Sequence, residues 1–316
     1  VAVLALAAVL AGPALASAAR MAVASAFLVE FLSGGRYPLL SRLTDAPARR
    51  RLTARGTDLE TLSPSRARAT LVLVHGYAPD GHRDARLQSA AALLARAGFA
   101  VVVPTIPGLT RGQLRPGDVE SVVTALLLRP PPVTLVAVSV GAGPALLAAA
   151  DPRVGDRVET VVVLGGYASA RELARYFLTG EYAFGDLRGH HRHDPELVRA
   201  FLAANADLVE PGPRRDLAAG DPAAVEAALA ALAPQLDALS PERVASRIPG
   251  RLILIHGRGD VAVPYTETLR LAAARPRDTA VVLVDAIGHV EGAGRLAQAR
   301  DLLELWGVTY TLIAGR

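Results

Sequence analysis

The sequence has no cysteine, which excludes disulfides and thiolate chemistry and leaves the compartment open. It has no lysine either: all 34 basic residues are arginine, a pattern that codon bias in a GC-rich genome produces. Without lysine, a glycine-containing turn after a strand lacks the ammonium that holds phosphates in a P-loop. Aromatic residues make up only 4% of the chain, and the arginines are interspersed with 30 acids. No aromatic-rich basic patch results, so no nucleic-acid partner is expected despite a net charge of +4. A single methionine, Met21, is present in a chain that opens on valine.

What is there is apolar and helix-forming. Hydrophobic residues supply 51% of the 316 positions, mostly as Ala, Val and Leu, enough for a sizeable α/β core. Residues 1 to 35 form an apolar N-terminal segment. Val1 to Ala19 carries no charge and approaches the length of a membrane span. It ends in Ala-Leu-Ala-Ser-Ala-Ala, small residues that suit signal cleavage, but no basic residue precedes it as in a signal peptide. As an anchor, with Arg20, Arg36, Arg42 and Arg49 to Arg51 following, it would keep the rest of the chain cytoplasmic. Translation from Met21 would remove it. All three readings stay open: membrane contact through residues 1 to 19, export, or a cytoplasmic protein. Ala22 to Leu32 reads as a short amphipathic helix stopped by Ser33-Gly34-Gly35, and Arg51 to Leu62, with Gly56 at its middle, as a hairpin of edge strands.

From Ala69 a regular rhythm sets in. Thr70 to His75, Phe99 to Pro104, Val133 to Val138, Thr160 to Leu164, Arg251 to His256 and Ala280 to Val284 are apolar runs without period-2 alternation, as in strands buried on both faces. Helices are expected between them, over Asp84 to Ala97 with Gly98 as stop, from Pro116 to about Leu128, and over Val140 to Ala150. This order predicts an α/β protein with a mostly parallel sheet flanked by helices on both faces, its site at the carboxyl ends of the strands. Residues 36–167 and 248–316 supply that core. Residues 168–247 break the rhythm with short helices (Arg171 to Leu178, Pro195 to Ala204, Ala223 to Leu232) and no convincing strand, and read as an all-helical cap inserted before the acid-bearing strand, or as a packing subdomain.

The chemistry centres on Ser139, between a buried strand and a helix rich in small residues. That is the arrangement of a nucleophile elbow, Gly-x-Ser-x-Gly, here Ala137-Val138-Ser139-Val140-Gly141 with alanine in the first glycine's place. Acyl transfer by serine needs a base, a carboxylate to orient the base, and N–H donors for the oxyanion. Asp260 follows the strand Arg251 to His256, and His289 follows Ala280 to Val284. Ser139, Asp260 and His289 thus each follow a parallel strand, in the chain order such a triad takes on this architecture. The oxyanion donors are expected to be the backbone N–H groups of Val140 and Tyr77, the latter after His75-Gly76, with His75, Gly76 and Gly141 supporting the turns. His190, His191 and His193 lie in a loop at spacings that suit a solvated tract, so neither metal nor cofactor is assigned.

The segments LVLVHGY (71 to 77), AVSVGAG (137 to 143), HGRGDVAVP (256 to 264) and GHV (288 to 290) resemble the α/β-hydrolase fold family over roughly Ala69 to Leu305. The resemblance implies Ser139 as nucleophile, His289 as base then acid, Asp260 as orienting carboxylate, and a metal-free route through an acyl-serine. It does not fix the substrate. The leading expectation is a hydrolase of small carboxylic esters bearing an apolar group, met by Tyr176, Phe177, Phe184, Phe201 and Leu202 unless these are cap core. Peptide or thioester cleavage by the same residues, a non-catalytic binding protein on this fold, and a membrane-tethered scaffold are the alternatives.

Overall fold

The computed structural model describes residues 2–208, 212, 214–285 and 299–315. Its ten strands are β1 (Ala48–Ala54), β2 (Thr57–Ser63), β3 (Ala69–Val74), β4 (Phe99–Pro104), β5 (Val133–Val138), β6 (Val158–Leu164), β7 (Glu181–Phe184), β8 (Leu187–His190), β9 (Arg251–Gly257) and β10 (Thr279–Val284). Eight form one sheet in the order β1-β2-β4-β3-β5-β6-β9-β10. The β1–β2 hairpin, turning at Arg55-Gly56, is antiparallel and sits at the edge, and β2 pairs antiparallel with β4. Every other pairing is parallel.

Successive strand residues face opposite sides of the sheet, so each apolar run serves two cores. Val72, Val74, Leu135, Ala137, Val161, Val163 and Leu254 pack under the helices Val119–Leu127 and Ala142–Ala149. Leu71, Leu73, Val101, Val103, Val136, Val162 and Ile253 pack under the helix Ala85–Arg96 and the two terminal helices. Burying each such side chain contributes about 1.5–3 kcal/mol, which is why the alternation-free runs settle as central strands.

The N-terminal helix differs from the short amphipathic one expected: it runs unbroken over 31 residues, Ala2–Leu32. Gly34 and Gly35, both at positive φ, end it. Ala24, Ala26 and Leu28 are buried in the second core, Glu30 is buried and accepts both the N–H and the hydroxyl of Ser41, and Trp306 of the C-terminal helix Ala299–Ala314 donates its indole N–H to Ser25. Its Leu15–Leu32 window, with mean hydropathy 1.6, is long and apolar enough to cross a membrane, and 22% of that window is buried.

Between β6 and β9 the chain leaves the sheet. This insertion carries the helices Ala170–Thr179, Pro195–Ala204 and Pro222–Ala231 near their expected bounds, with two shorter ones, Arg214–Ala218 and Ala233–Ala238. It is not all-helical: β7 and β8 form a hairpin of their own. Gly185 at positive φ makes its turn. The strands are four residues each and mostly exposed, so they lack the apolar run by which the longer strands announce themselves.

Candidate active site

The chain passes from β3 outward to β4 and then back across to β5. The sheet's winding reverses there, so the loops leaving the carboxyl ends of β3 and β5 run to opposite sides, the place where sites form in such sheets. Ser139 stands at the end of β5, 7% exposed, with φ +53°. For a residue with a Cβ this left-handed conformation costs roughly 1–3 kcal/mol and persists only where its surroundings enforce it. Those surroundings are the His75 backbone and the Tyr167 side chain. A Cβ on Gly141 would lie 2.2 Å from the His75 carbonyl oxygen, and one on Gly143 would lie 2.0 Å from the Tyr167 hydroxyl. Gly141 lets the serine turn press against the end of β3, and Gly143 lets the helix Ala142–Ala149 approach Tyr167, after β6. Ala137 is fully buried in the core beside them, so its methyl is accommodated.

Gly76 lies directly against the serine: a Cβ there would come 2.9 Å from Ser139 Cβ and 3.4 Å from Oγ. The His75 ring fixes how the next peptide lies. Its Nε2 accepts the Ile106 N–H at 3.0 Å, which leaves the proton on Nδ1, and Nδ1 donates to the Gly76 carbonyl at 2.6 Å. Burial lowers the pKa of this histidine, so it is held neutral. In a planar trans peptide C=O and N–H point oppositely. With the Gly76 oxygen drawn toward His75, the Tyr77 N–H is turned the other way. The Tyr77 ring is 59% exposed.

Asp260 occupies the loop after β9 and is buried. Its Oδ1 accepts the N–H groups of Ala262 at 2.9 Å and Val263 at 3.0 Å. Its Oδ2 lies 3.4 Å from His256 Nε2 and 3.0 Å from where a Cβ on Gly165 would stand. Next along, a Cβ on Gly166 would be 3.7 Å from the Ser139 carbonyl. The Gly165-Gly166 pair at the end of β6 therefore fills the gap between the serine turn and the acid loop. His289 lies outside the described residues.

Several contributors carry little sequence signal. His256 is 1% exposed, with Nε2 on the Val263 carbonyl (2.9 Å) and Nδ1 on the Thr268 hydroxyl (2.7 Å). Both nitrogens are engaged in bracing the acid loop. Glu267 is buried, and its Oε2 accepts the N–H groups of Ala168 (3.0 Å) and Ser169 (2.8 Å) where the insertion begins; burial raises its pKa. Tyr176 donates its hydroxyl to the Val261 carbonyl at 2.7 Å.

The histidine tract is less solvated than expected. His190 is exposed, but His193 is half-buried, stacked on Phe177 (5.6 Å), edge-on to Tyr176 (4.6 Å) and hydrogen-bonded to the Tyr176 carbonyl (2.9 Å). Phe177 also stacks on Phe201 at 5.2 Å, whereas Phe184 lies under the Arg270 guanidinium and Leu202 packs on Leu217, Val225 and Leu229. Of the five apolar insertion residues singled out above, only Phe177 joins the cluster that reaches Val140, together with Leu114 and Leu236.

No family model matches the sequence, and no curated protein does. Solved structures match its shape. The acylaminoacyl peptidase of Pyrococcus horikoshii superposes with a TM-score of 0.58 at 14% identity, over 87% of this chain and 43% of that one. The 2,6-dihydroxy-pseudo-oxynicotine hydrolase gives 0.56 at 18%, over 91% and 73%. A puromycin-hydrolyzing peptidase of Mycobacterium tuberculosis gives 0.54 at 19%, over 89% and 41%. The chain spans 41–43% of the length of the acylaminoacyl peptidases it matches. These likenesses and the strand order establish the fold: the chain is an α/β-hydrolase fold protein.

Proposed function

We propose that this protein is a serine hydrolase with Ser139 as nucleophile, His289 as general base and then acid, and Asp260 as the carboxylate that orients the imidazole. The observation that carries this reading is the serine held at φ +53° with Gly76 against it, since strain of this kind is retained where it serves a site. Ser139 Oγ attacks the substrate carbonyl and its proton passes to His289. The oxygen takes up negative charge facing the Tyr77 and Val140 N–H groups. The leaving group takes the proton from His289, and water, deprotonated by the same imidazole, releases the acyl group. No step calls for a metal or cofactor.

The substrate we favour is a carboxylic ester with an apolar acyl group. Half-buried Leu114, Val140, Phe177 and Leu236 form an apolar wall that starts at the residue after the nucleophile, and residues 168–247 act as the cap that completes it. Peptide substrates belong in the comparison because two of the three structures described above are peptidases.

Labelling with a fluorophosphonate probe tests the nucleophile. The wild-type protein is expected to label and Ser139→Ala to be silent, with hydrolysis falling by about 10⁴-fold or more. Labelling that persists in Ser139→Ala refutes the assignment. A panel of short-chain and long-chain esters, a thioester and a peptide amide then orders the substrates by kcat/KM, with an apolar acyl ester expected first.

A further inference from the structure

The insertion contributes to the acid as well as to the acyl wall. Tyr176 lies on the helix Ala170–Thr179, 1% exposed, and its hydroxyl hydrogen bond crosses 85 residues of sequence to the Val261 carbonyl. Burial and then the nearby Asp260 charge push its phenol upward, so it stays protonated and donates. The accepting carbonyl belongs to the Val261–Ala262 peptide. The other end of that peptide is the Ala262 N–H, which Asp260 Oδ1 accepts at 2.9 Å. Since C=O and N–H of a trans peptide are rigidly opposed, whatever holds the Val261 oxygen also aims the Ala262 N–H at the carboxylate. Val261 itself is 49% exposed and its side chain packs too little to fix that plane.

We infer that Tyr176 is a positioning residue of the acid: through one peptide unit it sets the direction in which Asp260 presents its carboxylate to the catalytic base. This rests on the serine hydrolase reading above. The rest of the acid loop is braced from within the core, by His256 on Val263 and by the Val263 N–H on Oδ1. Tyr176 braces it from outside the sheet. Its neighbours hold the ring: Tyr182 and Phe177 meet it edge-on at 5.9 and 6.2 Å, and His193 at 4.6 Å. Those contacts survive loss of the hydroxyl.

Tyr176→Phe removes the oxygen and leaves the packing. The expected result is a fall in kcat of about tenfold with KM nearly unchanged, against about 10⁴-fold for losing an orienting carboxylate outright. A carboxylate turned away from the base stabilises imidazolium less, so the acid limb of the pH–rate profile should move to lower pH. In an Asp260→Asn background Tyr176→Phe should cost almost nothing further, because both act on one interaction. Leu229→Ala, in the apolar cluster of Leu217 and Val225 that packs against Ala174 and Leu178 of the Tyr176 helix, controls for general loosening of the insertion. It should lower the melting temperature and leave the acid limb in place. If Tyr176→Phe keeps the wild-type rate and profile, or behaves like Leu229→Ala, or adds its full cost to Asp260→Asn, the positioning role is overturned while the triad reading stands. If the wild-type protein fails to label with fluorophosphonate, the triad reading falls and takes this role with it.

Discussion

At the scale of single residues, space decides more than polarity. Glycines on three segments leave the volume around Ser139 unfilled: Gly76 after β3, Gly141 in its own turn and Gly166 after β6. Gly141 is the least tolerant. Its φ of −63° is ordinary, so an alanine there suffers no backbone strain. What it meets is the His75 carbonyl at 2.2 Å, a backbone atom that must move. Gly141→Ala should therefore destabilise the fold by about 1–3 kcal/mol and displace the His75–Gly76 turn, lowering kcat more than it raises KM. Denaturant titration and steady-state kinetics check the two effects separately. Ala137 makes the contrast. It stands where the pattern has glycine, yet its methyl points into the core and finds room there.

At the scale of elements, the loops that leave the carboxyl ends of the strands are aimed by remote donors and acceptors. The sequence shows which loops these are, since each follows a buried apolar run. It does not show that His75 grips the peptide ahead of Tyr77, or that Tyr176 grips the one ahead of Ala262. The N-terminal helix is the other lesson at this scale. Read as sequence, it divides into an apolar leader and a short amphipathic piece, yet it folds as one rod whose second half lends Ala24, Ala26 and Leu28 to the core. Beginning the chain at Met21 keeps Ala24, Ala26, Leu28 and Glu30, the residues of this helix that are buried among those whose burial is described. Such a chain should melt close to the full one. Beginning it at Ser33 strips that side of the C-terminal helix and should lower the melting temperature by about 5 °C or more, as differential scanning calorimetry would show.

At the scale of the whole molecule, buried titratable groups tie stability to pH. Burial depresses the pKa of His75, His82 and His193. The unfolded chain then takes up protons first, at its ordinary value of about 6.5. Their contribution is complete above that pH and is lost as pH falls through the lowered values. Burial raises the pKa of Asp118 and Glu267. Those groups contribute in the opposite sense, at acid pH, and lose their contribution as pH rises through the raised values. The melting temperature is expected to decline as pH is lowered from about 7.5 to about 5.5, and His75→Gln should flatten that decline. Melts at three pH values test it; a slope unchanged in His75→Gln would remove this histidine from the account.

The sequence alone determined the sheet strands, most helices, the edge hairpin and the fold class, because apolar runs, caps and glycine stops act within a few residues. It also placed Ser139 and Asp260 at strand ends. It did not disclose β7 and β8, whose exposed residues bury too little to leave a pattern. The tertiary structure alone decided what surrounds the serine: Gly76 against it, Gly165 and Gly166 between it and Asp260, and the two carbonyls held by His75 and Tyr176. Those arrangements join segments brought together by strand order, such as the 31 residues from His75 to Ile106 and the 85 from Tyr176 to Val261. Periodicity cannot encode a contact at that range. Only the assembled sheet, with its winding reversed between β3 and β5, brings those atoms within hydrogen-bonding distance.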